Sequence, residues 1–388
     1  MIAAGTESDV VEAVRAARAR HRTLEILGAG TKRSFGRVTE CDETLDVSGL
    51  GGVVSYEPSE LVITVLPGTP VAEIVALLAR KNQHLGFEPA DWGALLDASP
   101  GSATIAGVLS ADANGAASVR YGRARDSMLG IRAVNGLGEA YKAGGKVVKN
   151  VTGFDLPKLF CGAMGTLGVL TEVTLRVFPK AEQAWIFAAR DVSPKDGFAI
   201  LRRVWQAPLE ATALSYVPAS APLRALGYVG EGAALIRLEG TDAALKEKRA
   251  MLQAIAPQAQ EMNAPEVFAA IAHGEAFVTQ SLDVWRAFVP PSDAARIVDA
   301  VAPPVWLADN AGGVLWIGLP PGSDGMRLRQ ACEAVGGHAV LLRANEETRS
   351  RVAVFARETK PRGALTRAVK AAFDPLGLFN PGRMWKGV

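Results

Sequence analysis

Residues 100–126 read PGSATIAGVLSADANGAASVRYGRARD, and residues 144–168 read GGKVVKNVTGFDLPKLFCGAMGTLG. Glycine and other small residues crowd both stretches where a globular core would carry bulk. Glycine loses more conformational freedom on folding than any other residue, so this density marks positive-φ turns or main chain close to a ligand. A loop-rich sheet edge would satisfy the same composition. A large planar ligand carrying a pyrophosphate explains it better, because a few polar side chains sit among the glycines. Asn114, one of them, offers both a donor and an acceptor to a heterocycle edge.

Working back from that centre, Val10–Arg20 has the spacing of a short amphipathic helix. Val10, Val11, Val14 and Ala17 form its stripe, with Thr6 or Ser8 as cap. Leu24–Leu27 reads as a strand and runs into GAGTKRSFG at 28–36. Successive main-chain N–H groups in a glycine-rich turn form an anion nest, to which Lys32 and Arg33 add positive charge. A nicotinamide-type fingerprint does not fit, since Arg33 takes the place of the third glycine and no long amphipathic helix follows. A plain β-turn with solvated basic residues remains open. LDVSGL (45–50) and Leu61–Leu66 are β-like, and Thr69 is expected to cap a helix over Val71–Lys81 with Pro70 at its first position.

Thr104-Ile105-Ala106-Gly107 needs so little side-chain volume that a ring system could lie against its backbone. Arg120, Tyr121, Arg123 and Asp126 read as a mixed turn before the strand Leu129–Val134, which a turn at Asn135–Gly138 connects to Glu139–Lys142. Thr171–Phe178 alternates as a strand, with Val173, Leu175 and Val177 on one face, until Pro179 stops it. From Ala184 to about Leu342 the glycine-rich texture vanishes. Strand-like segments (Trp185–Ala189, Leu235–Glu239, Val314–Leu319, Ala339–Leu342) alternate with helical ones (Phe198–Trp205, Ala243–Ile255, Met326–Val335). That pattern suits an α+β cap, read as a duplicated ferredoxin-like unit. Trp285, Trp306 and Trp316 read as core anchors, and Arg237 and Arg286 as surface or ion-paired arginines.

The 388 residues suffice for two domains, with the 49% hydrophobic and 21% charged composition of an ordinary globular protein. A net charge of +2 points to no nucleic-acid partner. No apolar run is long enough for direct membrane insertion, and the N-terminus lacks a signal layout. A cytoplasmic location is expected, with any attachment to the inner membrane made through partner subunits. Three scattered cysteines (Cys41, Cys161, Cys332) and four scattered histidines (His21, His84, His273, His338) offer neither an iron–sulfur motif nor a metal site. If the chain handles electrons, an organic cofactor carries them and another protein receives them.

The segments GAGTKRSFG, LDVSGL with VSYEPSELVITVLPGTPVAEI, SATIAGVLSADANG with RYGRARD, KVVKNVTGFDLPKLFCGAMGTLGVLTEVTLRVFP and the terminal FDPLGLFNPGRM together resemble one family. It is the PCMH-type, or vanillyl-alcohol-oxidase-type, flavoproteins, and among them the FAD-binding subunits of bacterial glycolate oxidases. The resemblance implies an α+β chain. Residues 1–180 would form an FAD-binding domain of two α/β subdomains, 181–344 a ferredoxin-like cap, and 345–388 a segment returning to the FAD domain.

Carried over position by position, it implies that Ala29, Gly30, Thr31, Lys32, Arg33 and Ser34 surround the pyrophosphate. Thr104, Ile105, Ala106, Gly107 and Asn114 would lie by the isoalloxazine, Gly165, Gly168 and Val169 by the adenosine end, and Asn380 and Arg383 at the flavin edge, with Pro100 also among the cofactor-binding residues. Ala106 departs from the glycine that many relatives carry. No histidine sits in either loop, so non-covalent FAD is expected, with Cys161 a structural cysteine.

The implied partners are a larger homologous flavoprotein subunit and an iron–sulfur subunit, and the implied substrate is a small 2-hydroxy acid such as glycolate. Catalytic relatives carry a histidine-rich motif in the cap that positions the hydroxy acid and accepts its proton, and this chain has none, so its catalytic residues stay unassigned. Two alternatives follow: a flavin electron-relay or assembly subunit beside a larger catalytic subunit, and a stand-alone dehydrogenase of the D-lactate type.

Overall fold

The computed structural model describes residues 1–146, 154–227 and 229–388. The stretch 147–153, which carries Lys149 to Gly153 of the second glycine-rich segment, lies outside the described residues. The chain divides into two compact units, one of residues 1–113, 123–179 and 357–388, the other of 114–122 and 180–356.

The first unit begins with β1 (Ile2–Ala3) and α1 (Glu7–Ala19). Thr6 starts α1 through a capping box with Asp9, and Val10, Ala13, Val14 and Ala17 form its buried face. β2 (Leu24–Leu27) and β3 (Glu43–Asp46) join β1 in a parallel sheet of order β1-β3-β2. α1 closes over it in an apolar core that also takes in Leu378 and Phe379 from the far end of the chain. A second sheet contains β4 (Val53–Glu57), β5 (Val62–Val65), β7 (Met128–Val134), β8 (Ala140–Gly144) and β9 (Val169–Arg176) in the order β4-β5-β9-β7-β8. β6 (Gln83–His84) pairs with β10 (Phe178–Pro179). Strand β9 is covered on both sides: Val173 and Leu175 are buried, and so is Thr174, whose hydroxyl meets that of Thr64 at 3.0 Å.

Helix α2 (Val71–Ala79) starts at Pro70, but Thr69 does not cap it. Its hydroxyl donates to main-chain carbonyls at Leu66 and Gly52 and accepts from Gly52 N, which ties the approach to the helix down instead. Residues 105–111 are a helix as well, α3 (Ile105–Ala111), with Thr104 as its N-cap. The small-residue run expected to be loop is therefore a helical face.

The second unit is one eight-stranded antiparallel sheet. Its strands are β11 (Gln183–Arg190), β12 (Ala213–Pro218), β13 (Gly232–Gly240), β14 (Ala259–Met262), β15 (Asp283–Phe288), β16 (Val305–Asp309), β17 (Val314–Leu319) and β18 (His338–Arg343). Their order is β14-β11-β13-β12-β16-β17-β15-β18. Each half is a strand–helix–strand–strand–helix–strand unit with its first and third strands central, the ferredoxin-like arrangement twice over. The halves meet where Tyr216 of β12 faces Ala308 of β16. Trp285, Trp306 and Trp316 are buried in this unit. Arg237 pairs with Glu239 at 3.1 Å, and Arg286 is buried over the Trp316 ring, not exposed.

Two stretches fall outside the expected boundaries. Residues 114–122 group with the second unit because Ser118 bonds Asn310, Arg120 pairs with Glu210, and the Tyr121 hydroxyl donates to Glu239. Residues 345–356 do so because Leu341 N donates to Val354 O and the Arg329 guanidinium donates to the carbonyls of Ala353 and Phe355.

Candidate functional site

Strand β2 ends at Leu27, and the chain then turns through Gly28-Ala29-Gly30-Thr31-Lys32-Arg33. The loop is closed by bonds from Arg33 N to Gly30 O (3.0 Å) and from Phe35 N to Lys32 O (3.1 Å). Gly30 sits at φ +72°, a conformation that favours glycine. Gly28 lies so close to α3 that a Cβ there would fall 2.7 Å from the Thr104 hydroxyl. The loop forms one wall of an open cleft. The opposite walls are Ala106, Gly107, Ser110 and Ala111 of α3, the turn at Met164–Gly165, and Arg383.

The main-chain N–H groups of Ala29, Gly30, Thr31 and Lys32 donate to no protein acceptor among the described residues. Beside them the Lys32 side chain is only 8% exposed, with its ammonium 3.3 Å from the Thr31 hydroxyl. Burial lowers its pKa from 10.5 to about 8, against the opposing pull of Asp91. Four unclaimed donors and a desolvated cation gathered at one place fit a pyrophosphate.

Arg33 is differently placed. Its guanidinium grips Glu25 with two bonds of 2.8 and 2.6 Å, which hold its pKa up, so its charge is already matched.

Helix α3 contributes surface, not donors. Ile105 N donates to Thr69 O, Ala106 N to Pro67 O, and Gly107 N to the Thr104 hydroxyl. What faces the cleft is a smooth strip of Ala106, Gly107, Ser110 and Ala111, which a flat ring can approach. Bonds from Gly162 N to Leu109 O and from Met164 N to Ser110 O fix the 162–165 turn to this helix. Gly165, at φ +70°, has no room for a side chain: a Cβ would sit 2.7 Å from the Asn380 amide nitrogen.

Of the residues named from sequence, Ala29, Gly30, Thr31, Lys32, Arg33, Thr104, Ala106, Gly107, Gly165 and Arg383 line the cleft together. Ser34 stands beside it and donates to Leu96 O. Ile105 points into the core, Val169 is buried within β9, Gly168 packs under Val134 O, and Pro100 is exposed. Asn114 belongs to the second unit. Asn380 is buried and fully used, accepting from Ile26 N at 3.0 Å and donating to Met164 O at 2.8 Å.

Glu25, Ile26, Leu27, Gly28, Val47, Ser110, Ala111 and Met164 complete the lining and were not anticipated. Ser110 and Ala111 are one helical turn beyond Ala106 and Gly107, so helical spacing was the signal that would have found them. The Cys161 thiol donates to Asp112 at 3.4 Å, and burial pushes its pKa up, which keeps it unreactive. No histidine lines the cleft: His84 packs on Phe178, and His338 stacks on Phe288 in the second unit.

Among the described residues no group of three or more acidic, histidine or cysteine side chains is placed to hold a metal ion, and no helix is long and apolar enough to cross a membrane.

The FAD binding domain family matches residues 1–144. Glycolate oxidase subunit GlcE of Escherichia coli is 31% identical over 368 residues, covering 93% of this chain and 92% of that protein. Glycolate oxidase subunit GlcD of Bacillus subtilis is 31% identical over 156 residues, covering 40% of this chain and 32% of its own length. Among solved structures, p-cresol methylhydroxylase with substrate bound superposes with a TM-score of 0.73 at 15% identity, over 98% of this chain and 87% of that one. This likeness extends the PCMH-type fold across both units. With the anion loop, the flat helical wall and a relative matched end to end, the chain belongs to the family of FAD-binding flavoproteins that includes glycolate oxidase subunit GlcE.

Proposed function

We propose that this chain is the FAD-binding subunit of a glycolate oxidase or dehydrogenase complex that converts a small 2-hydroxy acid to the 2-oxo acid. One observation carries the reading: an end-to-end relative named as a glycolate oxidase subunit, on a chain whose anion-binding loop is intact. The N–H groups of Ala29 to Lys32 and the Lys32 ammonium hold the pyrophosphate. Ala106, Gly107 and Gly165 leave flat walls for the rest of the dinucleotide, held without a covalent bond. FAD supplies a two-electron acceptor for the hydride leaving the substrate carbon. The unit of residues 1–113, 123–179 and 357–388 is the cofactor domain, and the second unit is the substrate-side cap.

The partners in this reading are a larger homologous flavoprotein subunit, as the likeness to GlcD supports, and an iron–sulfur subunit that takes the electrons onward. Attachment to a membrane surface, where it occurs, runs through these partners.

A second reading has a specific observation behind it. The cleft offers no histidine to accept the hydroxyl proton, which favours a relay or assembly role with oxidation done by the larger subunit. Glycolate turnover by the isolated, FAD-loaded chain with an artificial dye acceptor separates the two. Robust turnover eliminates the relay role; turnover only after the larger subunit is added eliminates oxidation by this chain.

A further inference from the structure

The last residues of the chain are built into the cofactor site from behind. At the end of the C-terminal helix (Lys360–Phe373) the buried Lys370 ammonium donates to Thr166 O (2.6 Å), Asp374 Oδ2 (2.7 Å) and Phe379 O (3.0 Å). The Asp374 carboxylate in turn accepts from Leu378 N (2.9 Å) and Phe379 N (2.8 Å). This pair fixes residues 378–379 beside β2, where Leu24 N donates to Leu378 O and Asn380 N donates to Leu24 O. The chain then turns back through Asn380 (φ 42°) and Gly382 (φ 76°). That turn delivers Arg383, whose Nη2 donates to Lys32 O at 3.1 Å and to Arg33 O at 2.7 Å.

Two consecutive carbonyls held by one guanidinium set the direction of both side chains at the Lys32–Arg33 step. The Lys32 side chain is buried at the cleft wall, and Arg33 is turned onto Glu25 at its rim. Left to itself, a lysine ammonium would swing to water and escape the desolvation it suffers here.

We infer that Arg383 is the positioning residue of the anion loop: it acts on the cofactor phosphates through the Lys32 and Arg33 carbonyls, and the Lys370–Asp374 pair holds it in place. The inference rests on the reading of the cleft as the FAD site and goes beyond it, because it makes FAD affinity depend on the C-terminal turn.

The test is FAD titration of the purified full-length apoprotein, followed by flavin fluorescence quenching, with apoprotein melting recorded for each variant. Arg383→Met is expected to weaken FAD binding by at least about tenfold, the worth of a charge-assisted bond. Arg383→Lys, which keeps one point donor, should recover part of that loss. Gly36→Ala keeps Arg383 but places a methyl 2.8 Å from its Nε, so it should weaken FAD binding too. If Arg383→Met does not fold, the latter two variants decide. Coupling to Lys32 distinguishes positioning from direct contact: in the Arg383→Met, Lys32→Met double variant the loss should fall short of the product of the single losses by at least about threefold.

Wild-type affinity in Arg383→Met, or in both Arg383→Lys and Gly36→Ala, overturns the inference, as does strict multiplication of the two single losses. The cofactor reading is tested separately in the same titration, because it falls only if the wild-type chain itself fails to bind FAD.

Discussion

Lys32→Met removes a cation that the folded apoprotein holds at a cost. The ammonium is buried and its pKa lies at about 8, not 10.5. Because the folded value is below the unfolded one, the unfolded chain holds the proton more tightly between pH 8 and 10.5. The apoprotein therefore carries the full penalty below pH 8 and sheds it as pH rises through this window. The gap in pKa corresponds to about 3 kcal/mol at pH 7. Methionine is similar in length and apolar, so the apo variant should be more stable than wild type by about 1–3 kcal/mol, with the upper figure recovering the whole penalty. FAD affinity should move the other way, since losing a charge-assisted bond of about 1.5–3 kcal/mol weakens binding roughly 10- to 150-fold. Apoprotein unfolding in urea at pH 7 and FAD titration of the same preparation measure the two. Arg33→Ala is the control, because that exposed side chain is already paired with Glu25 and its loss should change FAD affinity by less than about fivefold. A Lys32→Met apoprotein that is less stable than wild type, or that binds FAD as tightly, refutes the electrostatic account of the loop.

Two further outcomes follow from the same geometry. Gly30→Val forces a β-branched residue to φ +72° inside the anion nest, so the variant should purify colourless and stay so when FAD is added. Full flavin occupancy in that variant would show that the phosphates bind elsewhere. Lys370→Met strands the buried Asp374 carboxylate and should destabilise the chain by about 3–5 kcal/mol in urea unfolding. A loss below about 1 kcal/mol would mean that the pair does not hold the C-terminal turn.

Local signals were read well where hydrogen bonding and apolar spacing agree. Leu24–Leu27 is a strand and Thr6 caps the first helix, as their patterns imply. The duplicated ferredoxin-like cap was legible because its strand-like and helical segments alternate along the chain. The run Ile105–Ala111 misled because Gly107 and the small residues depress helix propensity, and the helix is held by Thr69 O, Pro67 O and the Thr104 cap. Thr69 itself has the chemistry of a cap and spends it on Gly52 and Leu66. Arg33 looked like free positive charge because its neutralising partner, Glu25, is on the preceding strand and nothing local marks the pair. The same limit hid the role of Asn380: its two partners, Ile26 N and Met164 O, are 354 and 216 residues away in sequence.

The central claim is that unclaimed main-chain donors and one buried lysine grip the pyrophosphate of FAD. Titrating the apoprotein with FAD while recording the visible spectrum tests it most directly. The account predicts saturable binding with a flavin spectrum, the FAD being released intact on acid precipitation. A preparation that stays colourless in excess FAD, or binds it no better than Gly30→Val does, would contradict it.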